Sequence, residues 1–381
     1  MAWTWAAVLV IVLVYLLQEL LSPTKKKRLP PGPRGLPILG HLHLLGKNPH
    51  QALYHLARRH GPIMGLRFGF VPAVVVSSPA GAELVLKTHD LVFANRPRNE
   101  ASKYIWYEQK NLVFGQYGPY WRNMRKLCTL ELLSNRRINQ FEAMRKVELE
   151  LLVSSLKRAV EMREIVDLSA RVSGMIGDMN CLMVFGRKYA DRDLDHDKGF
   201  KILTMEALEF GGKFNLANYF PYIGLLDLQG MNRKMKSLSK TFDKFLEKII
   251  DDHVKNKQEE KQSKDFVDTM MEIMESGKAE FQFDRGHVKA LLLDLLIAGM
   301  DTSASAIEWT LSELIRHPQV MKKLQKELET VVGMDQMVEE SHLHRLEYLD
   351  FVVKETLRLH PVGPLLIPHE SIGDFTTGAL L

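Results

Sequence analysis

From Val288 to Arg316 the chain runs for 29 residues without a proline, and no other stretch constrains the fold as strongly. At the standard rise, a helix over it is about 44 Å long and crosses an entire domain. Its middle, "LLIAGMDTSASAIEW" over residues 295 to 309, sets Gly299, Asp301 and Thr302 inside an apolar run. A buried acid beside a hydroxyl is costly unless it has a partner or a task. Ala298 and Thr302 are four apart, and Ser305 and Ala306 continue their side, giving a stripe of small side chains where something flat can approach. Gly299 permits closer approach still, at a helix-propensity cost of ~1 kcal/mol against alanine. Tight helix packing accounts for the same stretch if Thr302 bonds back to a carbonyl one turn earlier and Asp301 pairs with a base elsewhere.

Helical spacing dominates the rest, so the fold is expected to be mainly α. In "HPQVMKKLQKELETVVG", Pro318 suits a first helical turn and Gly333 a C-terminal stop. Strand signals are confined to residues 62 to 78, where two β-rich runs flank Gly69 and Pro72 as in a short hairpin. With 46% apolar and 25% charged residues and no linker-like stretch after residue 37, one large domain is expected. Lys and Arg number 51 against 46 Asp and Glu, a net charge of only +5 without aromatic interleaving, so nucleic acid is not an expected partner. Cys128 and Cys181 form no Cys-x-x-Cys pair and no disulfide framework, which fits reducing, cytosol-facing surroundings. Residues 251 to 265 read as a solvated helix end and loop. Residues 210 to 230, aromatic and broken by helix breakers, read as a buried connection or as a lipid-contacting surface.

Residues 1–21 form an apolar run whose first 18 residues carry no charge, which just meets the ~20 residues a bilayer-crossing helix needs. No basic leader and no small-x-small cleavage site accompany it, so a transmembrane anchor is expected and not a cleaved signal. "KKKR" at Lys25 to Arg28 holds the following chain on the cytoplasmic side. Residues 22–37, basic and then rich in proline, form a stiff linker to the domain at 38–381.

Two further constellations are ambiguous alone. Glu355 and Arg358 in "VVKETLRLHP" lie three apart just before Pro361, as many surface ion pairs do. Trp121 and Arg125 in "YGPYWRNMRKLC" lie four apart, and an indole donor beside a guanidinium suits a carboxylate ligand or a plain cation–π pair.

Taken in this order, the motifs closely resemble those of the cytochrome P450 family, the microsomal plant-type haem-thiolate monooxygenases. The similarity covers "PPGPRGLPILGHL", "WRNMR", "AGMDTS", "KETLRLHP" and "PVGPLLIPHES", and reaches about residue 371. The resemblance implies a P450 fold with small β-hairpins, a haem cofactor, and insertion of one oxygen atom from dioxygen into a small apolar substrate. It further implies electrons from NADPH-cytochrome P450 reductase, with Arg122, Arg125 and Lys126 near the docking side, and residence in the endoplasmic reticulum membrane as a single-pass protein. By the same resemblance Trp121 and Arg125 hold a haem propionate, and Asp301 with Thr302 forms the acid–alcohol pair on the oxygen side. Ala298 and Gly299 leave room above the ring, and Glu355 with Arg358 is structural. An extended segment after Pro364 is expected to bring Val362, Leu365 and Leu366 toward the substrate.

The family's iron ligand is a cysteine in a Gly-rich loop. Neither Cys128 nor Cys181 lies in such a loop, and "GDFTTGALL" at the end does not continue the similarity. The chain is therefore expected to stop short of the haem-ligating cysteine, and no metal ligand is assigned. The alternative to a monooxygenase is a membrane-tethered product without catalytic activity.

Overall fold

Helix caps and glycine or proline punctuation set most element boundaries in the computed structural model, which describes residues 29–188, 200–256 and 264–375. The expected anchor over residues 1–21 and the "KKKR" run lie outside the described residues. The principal elements in chain order are α1 (Pro49–His60), β1 (Ile63–Phe68), β2 (Val71–Val76), α2 (Pro119–Leu127), α3 (Glu142–Glu161), α4 (Leu168–Phe185) and α5 (Phe200–Gly212). They continue with α6 (Met231–Lys255), α7 (Phe266–Ser276), α8 (Arg285–Arg316), α9 (Pro318–Val331) and α10 (Glu347–Leu359). The fold is mainly α, as expected, with one two-stranded sheet among the described residues.

The chain divides into two compact units. The first comprises the described parts of residues 1–95, 215–228 and 369–381. Its strands pair antiparallel, with Ile63 opposite Val76 and Phe68 opposite Val71. Met64 and Leu66 of β1 bury themselves against Leu53 and Ala57 of α1. Gly69 turns the hairpin at φ +59°, and an added Cβ there would stand 2.6 Å from the Tyr219 carbonyl. Phe70 donates its amide to that carbonyl at 3.0 Å. Beyond it, Tyr222, Leu225, Leu226 and Leu228 are exposed, Leu225 by 93%. This segment is thus not the buried connection its composition allows. Two short helices, Leu216–Tyr219 and Pro221–Gly224, satisfy its backbone while leaving those side chains outside.

The second unit, Arg96–Phe214 and Gln229–Pro368, is built around α8. Asp284 caps that helix by accepting the His287 amide at 3.0 Å, so it starts three residues before the apolar run. The half from Val288 to Ile297 is almost entirely buried and packs on α4, α5, α6 and α7. Val184 and Phe185, Ala207, Phe242 and Leu246, and Met270 form one apolar cluster with Leu291, Leu292 and Leu296. Lys289 enters this buried half because Asp243 and Glu247 of α6 meet its ammonium at 2.5 and 2.9 Å. By length and apolar composition α8 is able to cross a membrane, yet here it is the core helix. Its far end joins α10 through Trp309, stacked on the His360 ring at 3.8 Å, and through Glu313, 3.0 Å from His360 Nε2. Pro318 opens α9, and Gly333 follows its end at φ +97°, as the sequence pattern requires.

Candidate functional site

Midway along α8 the burial pattern breaks. After ten residues sealed in the core, Ala298, Asp301, Thr302 and Ser303 are exposed. Ala298 and Thr302 share a face one turn apart, and Asp301 lies three residues from Ala298 on its flank. The Thr302 hydroxyl donates to the Ala298 carbonyl at 2.6 Å. Asp301 has neither a hydrogen bond nor an ion pair among the described residues, so no base balances it. Adjacent helical residues do not face each other, so a proton passing between this acid and this hydroxyl needs a bridging water.

Gly299 points elsewhere. An added Cβ would stand 2.8 Å from Asn180 Nδ2 of α4. That amide donates to the carbonyls of Leu295 at 3.2 Å and Leu296 at 3.0 Å. The missing side chain of Gly299 lets α4 approach α8. Ala298 keeps the open face.

In α2, Arg125 lies over the Trp121 ring at 5.3 Å, exposed and without a carboxylate partner among the described residues. The Trp121 indole N–H donates to the Leu112 carbonyl at 2.9 Å, so a propionate bond from it requires that bond to be given up. Lys126 pairs with Glu280 at 3.0 Å.

What holds Leu112 in place was not foreseen from the sequence. Asp294, wholly buried on α8, accepts Asn111 Nδ2 at 2.6 Å on Oδ1, and the amides of Leu112 at 2.7 Å and Val113 at 3.3 Å on Oδ2. Burial pushes its carboxyl up to about 7 against the pull of these three donors. Gly115 closes the loop where an added Cβ would meet the Asn111 carbonyl at 2.4 Å and the Trp121 ring at 2.9 Å. The available signal was a single acid in "ALLLDLLIAG" with no base one turn away.

Glu355 and Arg358 form a two-pronged pair at 2.7 and 2.7 Å on the exposed face of α10. The Arg358 hydrogen bond holds the Glu355 carboxyl below its usual range. Val362, Leu365 and Leu366 are exposed. Pro364 sits in a turn closed by the Leu366 amide on the Gly363 carbonyl at 3.0 Å, because its fixed φ suits a turn. Arg96 then fastens the chain beyond, donating to the carbonyls of Ile367 at 2.7 Å and Pro368 at 2.9 Å. Both cysteines are buried, and burial pushes the Cys128 thiol up to about 12. Neither is placed as a thiolate ligand. His253, Asp265 and Asp268 also come together, but the two carboxylates form the capping box of α7.

The family model for cytochrome P450 matches residues 30–378. The chain belongs to the cytochrome P450 family. It is 48% identical to cytochrome P450 CYP736A12 of Panax ginseng, over 94% of this chain and 72% of that one. It is 42% identical to cytochrome P450 750A1 of Pinus taeda, over 93% and 69% of the two chains. A third relative, 3,9-dihydroxypterocarpan 6A-monooxygenase of Glycine max, is 40% identical over 91% of this chain and 70% of its own length. The P450 is thus a haem-dependent monooxygenase that works with a redox partner, in a family whose plant members are generally membrane-associated. Its residues fit one side of a haem: a flat exposed patch of small side chains on α8, and in Arg125 a guanidinium free to take a carboxylate.

Proposed function

We propose that the exposed patch Ala298, Asp301 and Thr302 is the oxygen side of the haem pocket, with Arg125 as ligand of a haem propionate. The observation that carries this reading is the abrupt opening of α8 at Ala298 after an almost entirely buried half-helix. Haem, when bound, supplies the iron centre at which dioxygen is reduced and one oxygen atom is transferred. Around it the chain's own residues have separate tasks. Asp301, open to solvent and unpaired, takes up protons and passes them through water toward Thr302. The Thr302 hydroxyl, donating to Ala298, keeps its oxygen lone pairs free to accept from that water. Trp121 fixes the plane on which Arg125 lies. Glu355 and Arg358 stiffen α10, and Val362, Leu365 and Leu366 contribute to an apolar substrate wall.

The substrate is a small apolar molecule. Two relatives are named for a pterocarpan and for a flavonoid, and compounds of that kind are the first to test. Electrons come from NADPH-cytochrome P450 reductase. Residues 1–21 anchor the protein in the endoplasmic reticulum, residues 22–37 act as a linker, and the domain at 38–381 faces the cytosol.

The decisive experiment fills the patch. Ala298→Trp on an exposed helical position should leave thermal unfolding almost unchanged while weakening haem uptake by at least about tenfold, because the ring loses its flat seat. Uptake equal to that of the unsubstituted chain would refute the assignment. In the haem-loaded protein, Thr302→Ala should raise peroxide and lower product per NADPH by at least about tenfold.

A further inference from the structure

The Asp294 carboxylate is sealed in the core, and no cation pairs with it among the described residues. An acid in that position is costly, and a helix interior has no use for it on its own account. What surrounds it is a set of donors from a single loop. Asn111 gives its side-chain amide, Leu112 and Val113 give consecutive backbone amides, and the Asn111 side-chain oxygen in turn takes the Phe114 amide at 3.3 Å. Consecutive backbone N–H groups converging on one oxygen make an anion-binding nest, here filled from within the protein. The loop so held presents the Leu112 carbonyl, and that carbonyl fixes the Trp121 indole. Trp121 carries Arg125 on its face. The contacts are therefore continuous from α8, two turns before Thr302, to the guanidinium on α2.

We propose that Asp294 is a positioning residue for the haem: it locks residues 111–113 so that Leu112 orients Trp121 and, through it, the propionate-binding Arg125. This rests on the reading of Arg125 given above. Both oxygens of the side chain accept, Oδ1 from Asn111 and Oδ2 from Leu112 and Val113, so three donors depend on two oxygens. Asparagine keeps the shape, but an NH2 in place of Oδ2 cannot accept from the Leu112 and Val113 amides. The arm should then loosen while the core, whose apolar contacts are untouched, stays folded.

The test uses the whole chain and haem itself as probe. Haem uptake is followed by quenching of tryptophan fluorescence in the unsubstituted protein, Asp294→Asn, Arg125→Ala and the double variant, with amide exchange at Leu112 and Val113 read on the haem-free chain. Asp294→Asn should speed exchange at both amides and weaken haem uptake by about tenfold, as loss of an outer partner commonly does. Added to Arg125→Ala it should cost nothing further, because both act through the same guanidinium. A core residue without a positioning role would instead add its full effect in the double variant. Unchanged uptake in Asp294→Asn beside weakened uptake in Arg125→Ala overturns the positioning role alone. No effect of Arg125→Ala overturns the reading of the propionate ligand, and no uptake by the unsubstituted chain overturns both. Should Asp294→Asn fail to fold, Asn111→Ala, which spares the acid and its two backbone bonds, is read in the same way.

Discussion

A carboxyl group without a counter-charge, enclosed by apolar side chains, keeps its proton to a higher pH than one in water. Burial pushes the Asp294 carboxyl from its ordinary value of 3.8 up to about 7. Between those values the folded state holds a proton that the unfolded chain has lost, so stability falls as pH rises toward 7, by a few kcal/mol at most. Its neighbours Tyr120 and Cys128 are pushed upward, chiefly by burial, and stay neutral throughout this range. Asp294→Asn should therefore flatten the pH dependence of the urea midpoint between pH 4 and 7, and an unchanged slope would assign it to other groups. The two cysteines give a second expectation at this scale. Haem added to the 381 residues, then reduced under carbon monoxide, should not show the shifted Soret band of a thiolate complex, since both thiols are buried packing residues. Asp301, Thr302 and Arg125 could be singled out in the sequence because each belongs to a short motif with helical spacing, and all three are exposed on their helices. Asp294 was not, because its Asn111 partner lies 183 residues away and local spacing carries no trace of it.

At the scale of elements, the approach of α4 to α8 depends on one missing side chain. Gly299→Ala gains helix propensity of up to ~1 kcal/mol but forces its Cβ against the Asn180 amide, and overpacking of that kind costs about 1–3 kcal/mol. A net loss of about 1 kcal/mol in chemical denaturation is expected, and it should vanish when Asn180 is also replaced by alanine. If it persists, the glycine serves the open face after all. The cap of α8 is equally testable. Asp284→Ala should cost about 1 kcal/mol and release protection of the amides before Val288, since the His287 amide loses its acceptor. Helix bodies could be read from apolar periodicity and from Pro318 and Gly333. The three extra residues at the start of α8 could not, because a cap acts through a side chain outside the periodic run. The turn at Pro364, ahead of the segment expected to be extended, could not be read for a related reason. Proline fixes one dihedral angle, and only the Leu366 amide reaching back to Gly363 decides between turn and strand.

For the whole molecule, the orientation assigned to the anchor predicts that protease added to sealed microsomes digests the domain. Protection of the domain would reverse the topology. With the anchor proposed for residues 1–21, a core helix that is itself long and apolar enough to span a bilayer is a second hazard while the protein is being made. Machinery that inserts the proposed anchor would meet another candidate in α8. Two features tell the candidates apart. Asp301 stands at the midpoint of α8, where an acid costs about 3 kcal/mol on insertion, and Lys289 and Asp294 add to that cost nearer its start. The order of synthesis supplies the other, because α4, α5, α6 and α7 all precede α8 in the chain. Each has left the ribosome before the apolar half-helix emerges, so that half finds its protein partners already waiting and has no need of lipid.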